Sequence, residues 1–240
     1  MNRHQSAKLY AGLYERTCQL VGPDAMNAIK QASVFVAGLG GVGGYVVENL
    51  VRAGVGTIGL CDYDRLEDSN LNRQVIALST TIGLQKTEAA SERCLLINSS
   101  VSLRKYEIRI NKDTVRDLSL EQYDYVADAI DDVAAKIVLI QEASRHGTPI
   151  ISAMGCGNKI DPFRFRIAPI ESTHSCPLAK AVRKKLKLFG ITGIPVLFSD
   201  EPGAQTEGKE MCSAIPSISY MPAVAGSMIA SYILRHIIDR

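Results

Sequence analysis

A chain of 240 residues that is 46% hydrophobic and 22% charged has ordinary globular composition and enough length to bury one large core. Its 27 basic and 25 acidic residues leave a formal charge of only +2, so net charge gives no ground for a polyanion partner and any nucleic-acid face has to be local. Six cysteines with no Cys-x-x-Cys pair, and four scattered histidines, argue against a disulfide framework, a cysteine zinc site and a metalloprotease pair.

Residues 1–11 mix charged and polar side chains without an apolar h-region, so no targeting segment is expected there. Residues 33–37 (SVFVA) are a short β-branched run ending in glycines, and residues 44–53 then carry Val46, Val47, Leu50 and Val51 at helical spacing. A second apolar run, residues 57–61 (TIGLC), ends on Asp62 and completes a βαβ unit with an expected right-handed crossover. Residues 86–97 are helical in pattern, 101–110 alternate like a strand, and 125–130 and 150–153 supply two buried strands around a helix at 134–146. The strict alternation of FRFRI at 163–167 suits a half-exposed antiparallel strand appended to a parallel set. An amphipathic helix is expected at 177–189, a mobile polar loop at 199–216 and an apolar closing helix at 222–238. Its greasiest stretch, 223–234, is too short to span a bilayer, which points to a cytoplasmic chain with no membrane partner. The pattern predicts an α/β fold: a Rossmann-like, mostly parallel sheet with helices on both faces and antiparallel strands appended toward the C-terminus, in one domain over 1–240.

Chemistry enters at the turn GLGGVG, residues 38–43. Glycines between a strand and a helix let backbone approach a phosphate closely, where unpaired N–H groups and the helix dipole favour negative charge. Gly38, Gly40, Gly41 and Gly43 are the candidate phosphate-loop residues. Asp62 follows at the interval of roughly 20 residues expected for an acid that binds ribose hydroxyls. Nicotinamide, flavin and ATP sites all share this fingerprint. The segments Asp62-Tyr63-Asp64, Asp68-Ser69-Asn70-Leu71-Asn72-Arg73-Gln74, Lys86 and Asp128-Ala129-Ile130-Asp131 favour ATP. Attack of a carboxylate on the α-phosphate builds negative charge that Arg, Lys and a carboxylate-held magnesium ion stabilise, whereas hydride transfer builds none. Taken singly, Arg73 reads as a surface ion pair, Lys86 as a solvated first-turn side chain and Asp131 as a helix N-cap.

With GLGGVG, DYD, SNLNRQ, GLQK and DAID in order, the sequence resembles the ThiF/MoeB branch of the ubiquitin-activating enzyme superfamily over roughly residues 13–151. The resemblance implies that Asp62 holds ribose, that Asn70, Arg73 and Lys86 face the phosphates, and that Asp131 binds Mg2+. Asp64 and Gln74, in the same motifs, join the nucleotide-binding set. It also implies a homodimer in which an arginine from the neighbouring subunit reaches the triphosphate. Tyr14-Glu15-Arg16-Thr17 matches the motif that supplies it, which makes Arg16 the candidate.

The C-terminal portion, 152–240, resembles the tRNA threonylcarbamoyladenosine dehydratases through AMGCGNKIDP at 153–162, PLAK at 177–180 and VLFS at 196–199. That likeness implies ATP-dependent adenylation of a threonyl carboxylate on tRNA and ring closure with net loss of water. The alternative is adenylation of the C-terminal glycine of a ubiquitin-like sulfur-carrier protein, although the two Cys-x-x-Cys pairs typical of those enzymes are missing. A nicotinamide oxidoreductase and a non-catalytic scaffold are the readings from other classes. Lys180, Arg183, Lys184 and Lys187 lie opposite an expected apolar stripe of Leu178, Val182, Leu186 and Phe189, and form either a tRNA-gripping face or a solvated one. Cys176 stands where the pattern usually has an acid. Cys212, in the polar loop, is either incidental or a nucleophile or relay toward a sulfur-transfer partner protein.

Overall fold

The computed structural model describes residues 12–202 and 215–239. Two short helices open this part, α1 (Glu15–Val21) and α2 (Pro23–Gln31), with Pro23 in the first turn of α2, where a missing N–H costs nothing. Neither is among the elements expected from the sequence. There follow β1 (Ser33–Ala37), α3 (Gly41–Ala53), β2 (Thr57–Cys61), α4 (Lys86–Ile97), β3 (Ser102–Tyr106), β4 (Tyr125–Asp128), α5 (Val133–His146), β5 (Ile150–Ala153), β6 (Phe165–Pro169), α6 (Pro177–Leu188), β7 (Pro195–Ser199) and α7 (Tyr220–Ile238).

The seven strands form one sheet in the order β3-β2-β1-β4-β5-β7-β6. All neighbours run parallel except β6, which pairs antiparallel with β7 from Phe165 opposite Ser199 to Pro169 opposite Pro195. The inner strands are buried along nearly their whole length, as a parallel sheet covered on both faces requires. One core, centred on Val34, Val36, Leu50 and Ile229, joins that face to α2, α3, α4 and α7. The other, centred on Phe35, Leu139, Val182 and Val196, joins the opposite face to α5 and α6. Helices on both faces and an antiparallel addition at the C-terminal edge are as expected from the sequence.

Several boundaries differ for physical reasons. Helix α3 begins at Gly41 rather than residue 44, because the glycines of the turn themselves make its first turn, with Gly44 N–H bonding to Gly40 at 3.0 Å. Strand β3 stops at Tyr106, opposite the last residue of β2; beyond it an edge strand has no partner, and Ile108 and Ile110 turn away to line a cleft. Strand β6 starts at Phe165 because Asp161 caps a short 3-10 turn, accepting from the Phe163 N–H at 3.0 Å. That leaves Phe163 88% exposed.

Helix α7 spans 19 residues and is long and apolar enough by composition to cross a membrane, unlike its 223–234 stretch alone. Its apolar side chains are used inside the protein: Met221, Ala225, Ile229, Ala230 and Ile233 are fully buried. A β-carbon on Gly226 would fall 2.5 Å from the Val42 carbonyl oxygen of α3, so the two helix backbones touch at this glycine. Gly226→Ala therefore forces α3 and α7 apart. Overpacking costs about 1–3 kcal/mol against the roughly 1 kcal/mol that Ala adds to an isolated helix, so urea titration should show a net loss of up to about 2 kcal/mol.

Candidate nucleotide site

The strand order reverses between β1 and β4, and in open α/β sheets such a switch point opens a crevice at the carboxyl ends of the strands. A cleft of about 530 Å³ lies there, lined by the ends of β1, β2, β4 and β5. Its volume falls within the range of small-molecule sites. A second hollow of about 540 Å³ runs along α3 and α7 beside Tyr45, Ile167, Met228 and Tyr232, but Arg235 is its single charged residue, so no chemistry converges there.

The glycine turn forms one wall. Gly38 has φ +85°, and a β-carbon there would stand 2.7 Å from the Ala129 carbonyl oxygen. At Gly43 it would stand 1.7 Å from the Gly38 carbonyl oxygen. These two glycines close the turn on itself and onto β4. Gly41 abuts Pro222 of α7, whose Cβ lies 2.9 Å from the place a β-carbon would take, and so seats that helix. Gly40 is different: the nearest atom to its missing β-carbon is Gln74 Nε2 at 4.0 Å, and the space is open to the cleft. The first N–H groups of α3, before Gly44, have no partner within the helix and are available to an anion.

The carboxylate of Asp62 braces this wall. Its Oδ2 accepts from the Leu39 N–H at 2.7 Å and its Oδ1 from the Asp64 N–H at 2.9 Å. Lys86, at the start of α4, reaches 2.8 Å from Asp64 Oδ2 and 3.8 Å from Asp62 Oδ2. Its side chain is only 9% exposed, so it is a buried cation in a carboxylate cradle rather than a solvated first-turn side chain. Asn70 is also buried and completes a capping box with Glu67, accepting from the Glu67 N–H at 3.1 Å. That turn carries Arg73 over the glycine loop, where Nη1 donates to Ser69 O at 2.8 Å and Asn72 Oδ1 at 2.9 Å. Gln74 is buried in the lining with Oε1 unpartnered, an acceptor left over for a donor that enters the cleft.

Across from these lies Asp131, exposed and lining the cleft, with no hydrogen bond or ion pair to the described residues. The reading of Asp131 as a helix cap is corrected: Asp132 caps α5, accepting from the Ala135 N–H at 2.8 Å, which leaves Asp131 free. Gly38, Gly40, Gly41, Asp62, Asp64, Asn70, Arg73, Gln74, Lys86 and Asp131 thus line one cleft, with Gly43 just behind it. Beside Tyr63 of the Asp62-Tyr63-Asp64 segment, the cleft is also lined by Ile108, Arg109 and Ile110, which were not expected there; the Arg109 guanidinium stacks 5.5 Å from the Tyr63 ring centre. Their signal was present only as alternation continued past the end of β3.

The C-terminal portion supplies the remaining wall through Ala153 to Gly157, Ile215 and Ser217. Cys156 belongs to it, but burial pushes its thiol up to about 12, which removes it as a nucleophile near neutrality. Cys18, Cys61, Cys94 and Cys176 are likewise buried and free; Cys176 is the N-cap of α6, its Sγ accepting from the Ala179 N–H at 3.5 Å. Cys212 lies outside the described residues, as does most of the expected loop.

On α6 the buried stripe is Ala179, Val182 and Leu186, and Phe189 is 56% exposed, because the helix ends at Leu188. Lys180, Lys184 and Lys187 are exposed, whereas Arg183 turns inward and donates to Thr173 O at 2.7 Å. Arg16 is exposed on α1 and outside the cleft lining. Neighbouring Tyr14 packs at Gly54, the C-terminal end of α3, one helix length of about 20 Å from the glycine turn.

The chain is 35% identical over 235 residues to the tRNA threonylcarbamoyladenosine dehydratase of Bacillus subtilis, covering 92% of each chain. The structure superposes on Escherichia coli tRNA N6-threonylcarbamoyladenosine dehydratase in complex with ATP with a TM-score of 0.88 and 30% identity, over 94% of this chain and 93% of that one. A sulfur carrier protein adenylyltransferase of Thermus thermophilus is 36% identical, but over 131 residues, 55% of this chain and 48% of that protein. The ThiF family matches residues 14–240, the whole cleft included, and the chain belongs to that family.

Proposed function

We propose that the protein uses ATP to dehydrate threonylcarbamoyladenosine in tRNA by adenylating the threonyl carboxylate. The observation that carries this reading is that likeness to the dehydratases runs through both portions of the chain, over 92% of it, whereas likeness to the sulfur-carrier enzyme covers 55%. The C-terminal portion of the chain, where AMGCGNKIDP resembles the dehydratases, supplies the cleft wall from Ala153 to Gly157.

The residues of the cleft support the adenylation step. A carboxylate oxygen of the threonyl group bonds to the α-phosphorus and pyrophosphate leaves; the carbamoyl oxygen then attacks the activated carbonyl carbon, AMP leaves and the carbamoyl nitrogen gives up its proton. Arg73 and Lys86 meet the charge that grows on the phosphate oxygens, and the helix α3 N–H groups beside Gly40 take the anion. Lys86 exchanges part of its contact with Asp64 for a phosphate oxygen. Asp62 spends one lone pair of each oxygen on backbone N–H groups and keeps others for ribose hydroxyls. Among the described residues no cluster of three metal-ligating side chains exists. Mg2+ needs no such cluster, since one carboxylate with phosphate oxygens and water suffices, and Asp131 offers that carboxylate. When bound there, the ion neutralises triphosphate charge. Lys180, Lys184 and Lys187 contact tRNA phosphates, and the protein works in the cytosol with its substrate.

The direct test is incubation with ATP and tRNA bearing the threonylcarbamoyl group. The modified nucleoside should lose the mass of one water; unchanged mass, with pyrophosphate exchange on a sulfur-carrier protein instead, sinks the reading in favour of the alternative.

Two glycines separate binding from folding. Gly40→Ala puts a methyl group into open cleft space and should weaken ATP about tenfold by calorimetry with the thermal midpoint held. Gly43→Ala collides with the Gly38 carbonyl and should lower both.

The distance of α1 from the cleft supports action of Arg16 in the partner site of a homodimer. Arg16→Ala and Arg73→Ala proteins should each be inactive, and mixing them should restore activity at about a quarter of the sites, the share with both arginines. No recovery after subunit exchange rules out action in trans.

A further inference from the structure

Beneath the cleft floor is a charged group that the phosphate-facing residues do not account for. Asp128 at the end of β4, Lys136 in α5 and Ser152 in β5 are all fully buried. Lys136 Nζ donates to Asp128 Oδ2 at 2.9 Å and to Ser152 Oγ at 3.1 Å, and the Ser152 hydroxyl donates to the same Oδ2 at 2.5 Å. Burying an ion pair is a poor way to gain stability, because desolvation offsets most of the attraction and apolar residues of similar volume commonly do as well. Gluing β4, β5 and α5 together does not require it.

The second oxygen of Asp128 gives the arrangement its direction. Oδ1 accepts from the Ile130 N–H at 3.1 Å, and the preceding Ala129 N–H donates to Ala37 O of β1 at 2.8 Å. The same Ile130 nitrogen lies 3.1 Å from the place a β-carbon would take on Gly38. On the far side of Asp131, Asp132 caps α5 and accepts from the Lys136 N–H at 3.0 Å. Asp131 is therefore bracketed: Asp128 fixes the peptide before it, Asp132 the helix start after it, and Lys136 joins the two.

We propose that Asp128, Lys136 and Ser152 form a positioning network that holds residues 129–131 against Gly38 and so sets where the Asp131 carboxylate stands over the cleft. None of the three touches the cleft space itself. The proposal rests on the reading of Asp131 as the carboxylate that holds Mg2+ with the triphosphate.

The test compares affinities for ATP with Mg2+, ATP with EDTA and AMP, by calorimetry, in the full chain. Ser152→Ala removes two hydrogen bonds of the network. The double variant Asp128→Asn with Lys136→Met removes both charges together, so that no lone charge is left to unfold the protein, and keeps an acceptor for Ile130. Both should weaken Mg2+-dependent ATP binding about tenfold, as outer partners of metal ligands do, while AMP and metal-free ATP bind as before. In an Asp131→Ala background, Ser152→Ala should add nothing. Variants that keep the full gain from Mg2+, or that weaken all three ligands alike, overturn the network's role. A wild-type protein whose ATP affinity does not respond to Mg2+ overturns the reading of Asp131 itself, and the proposal with it.

Discussion

The site depends on one close approach. Where β1 and β4 end side by side, the backbone of Gly38 lies against the Ala129 peptide so tightly that a single β-carbon would stand 2.7 Å from its oxygen. Side chains cannot fill the switch point, so the sheet opens there, and the turn can bend with positive φ into the first coil of α3. Three charged groups of the cleft are arranged around that bend: Asp62 braces it from the β2 side, Arg73 lies across it, and Asp131 faces it from the end of β4.

The charges of the cleft are sorted by depth. Lys86 is nearly enclosed between two carboxylates, and Asp62 is occupied by backbone N–H groups, so both are held in place by partners of opposite polarity. Asp131 and Arg73 sit nearer the solvent, where Arg73 can turn to an entering anion and Asp131 to a cation that accompanies it. Fixed dipoles and charges that need no rearrangement at the moment of reaction are what stabilise a growing phosphate charge best.

Much of this could be read from the residues alone. The glycine turn, Asp62 and the acid and base motifs behind it announce themselves because phosphate and ribose demand particular residue types at particular points of a βαβ unit. What could not be read was decided by tertiary contact. A lysine in a first helical turn is solvated by default, and only the fold brings Asp62 and Asp64 around Lys86. Of two adjacent aspartates, sequence does not say which caps α5, and it is Asp132 that does so. The alternation at 101–110 is equally good for a strand and for a cleft wall, and the end of β2 divides it between the two. Helix α1, seven residues long, is too short for a periodic signal, whereas α2 spaces Met26 and Ile29 one helical turn apart behind Pro23, a signal that is short but present.

The contact between Pro222 and Gly41 joins parts of the chain that are made far apart in time. At ribosomal rates of 5–20 residues per second, the helix that seats the glycine turn is made roughly 10–40 s after the turn itself. A nascent chain can pair β1, β2 and β4 in that interval, but the turn still lacks the helix that packs on it. The wall of the nucleotide cleft is thus completed only after every strand of the sheet has been made, by a helix that follows the last of them.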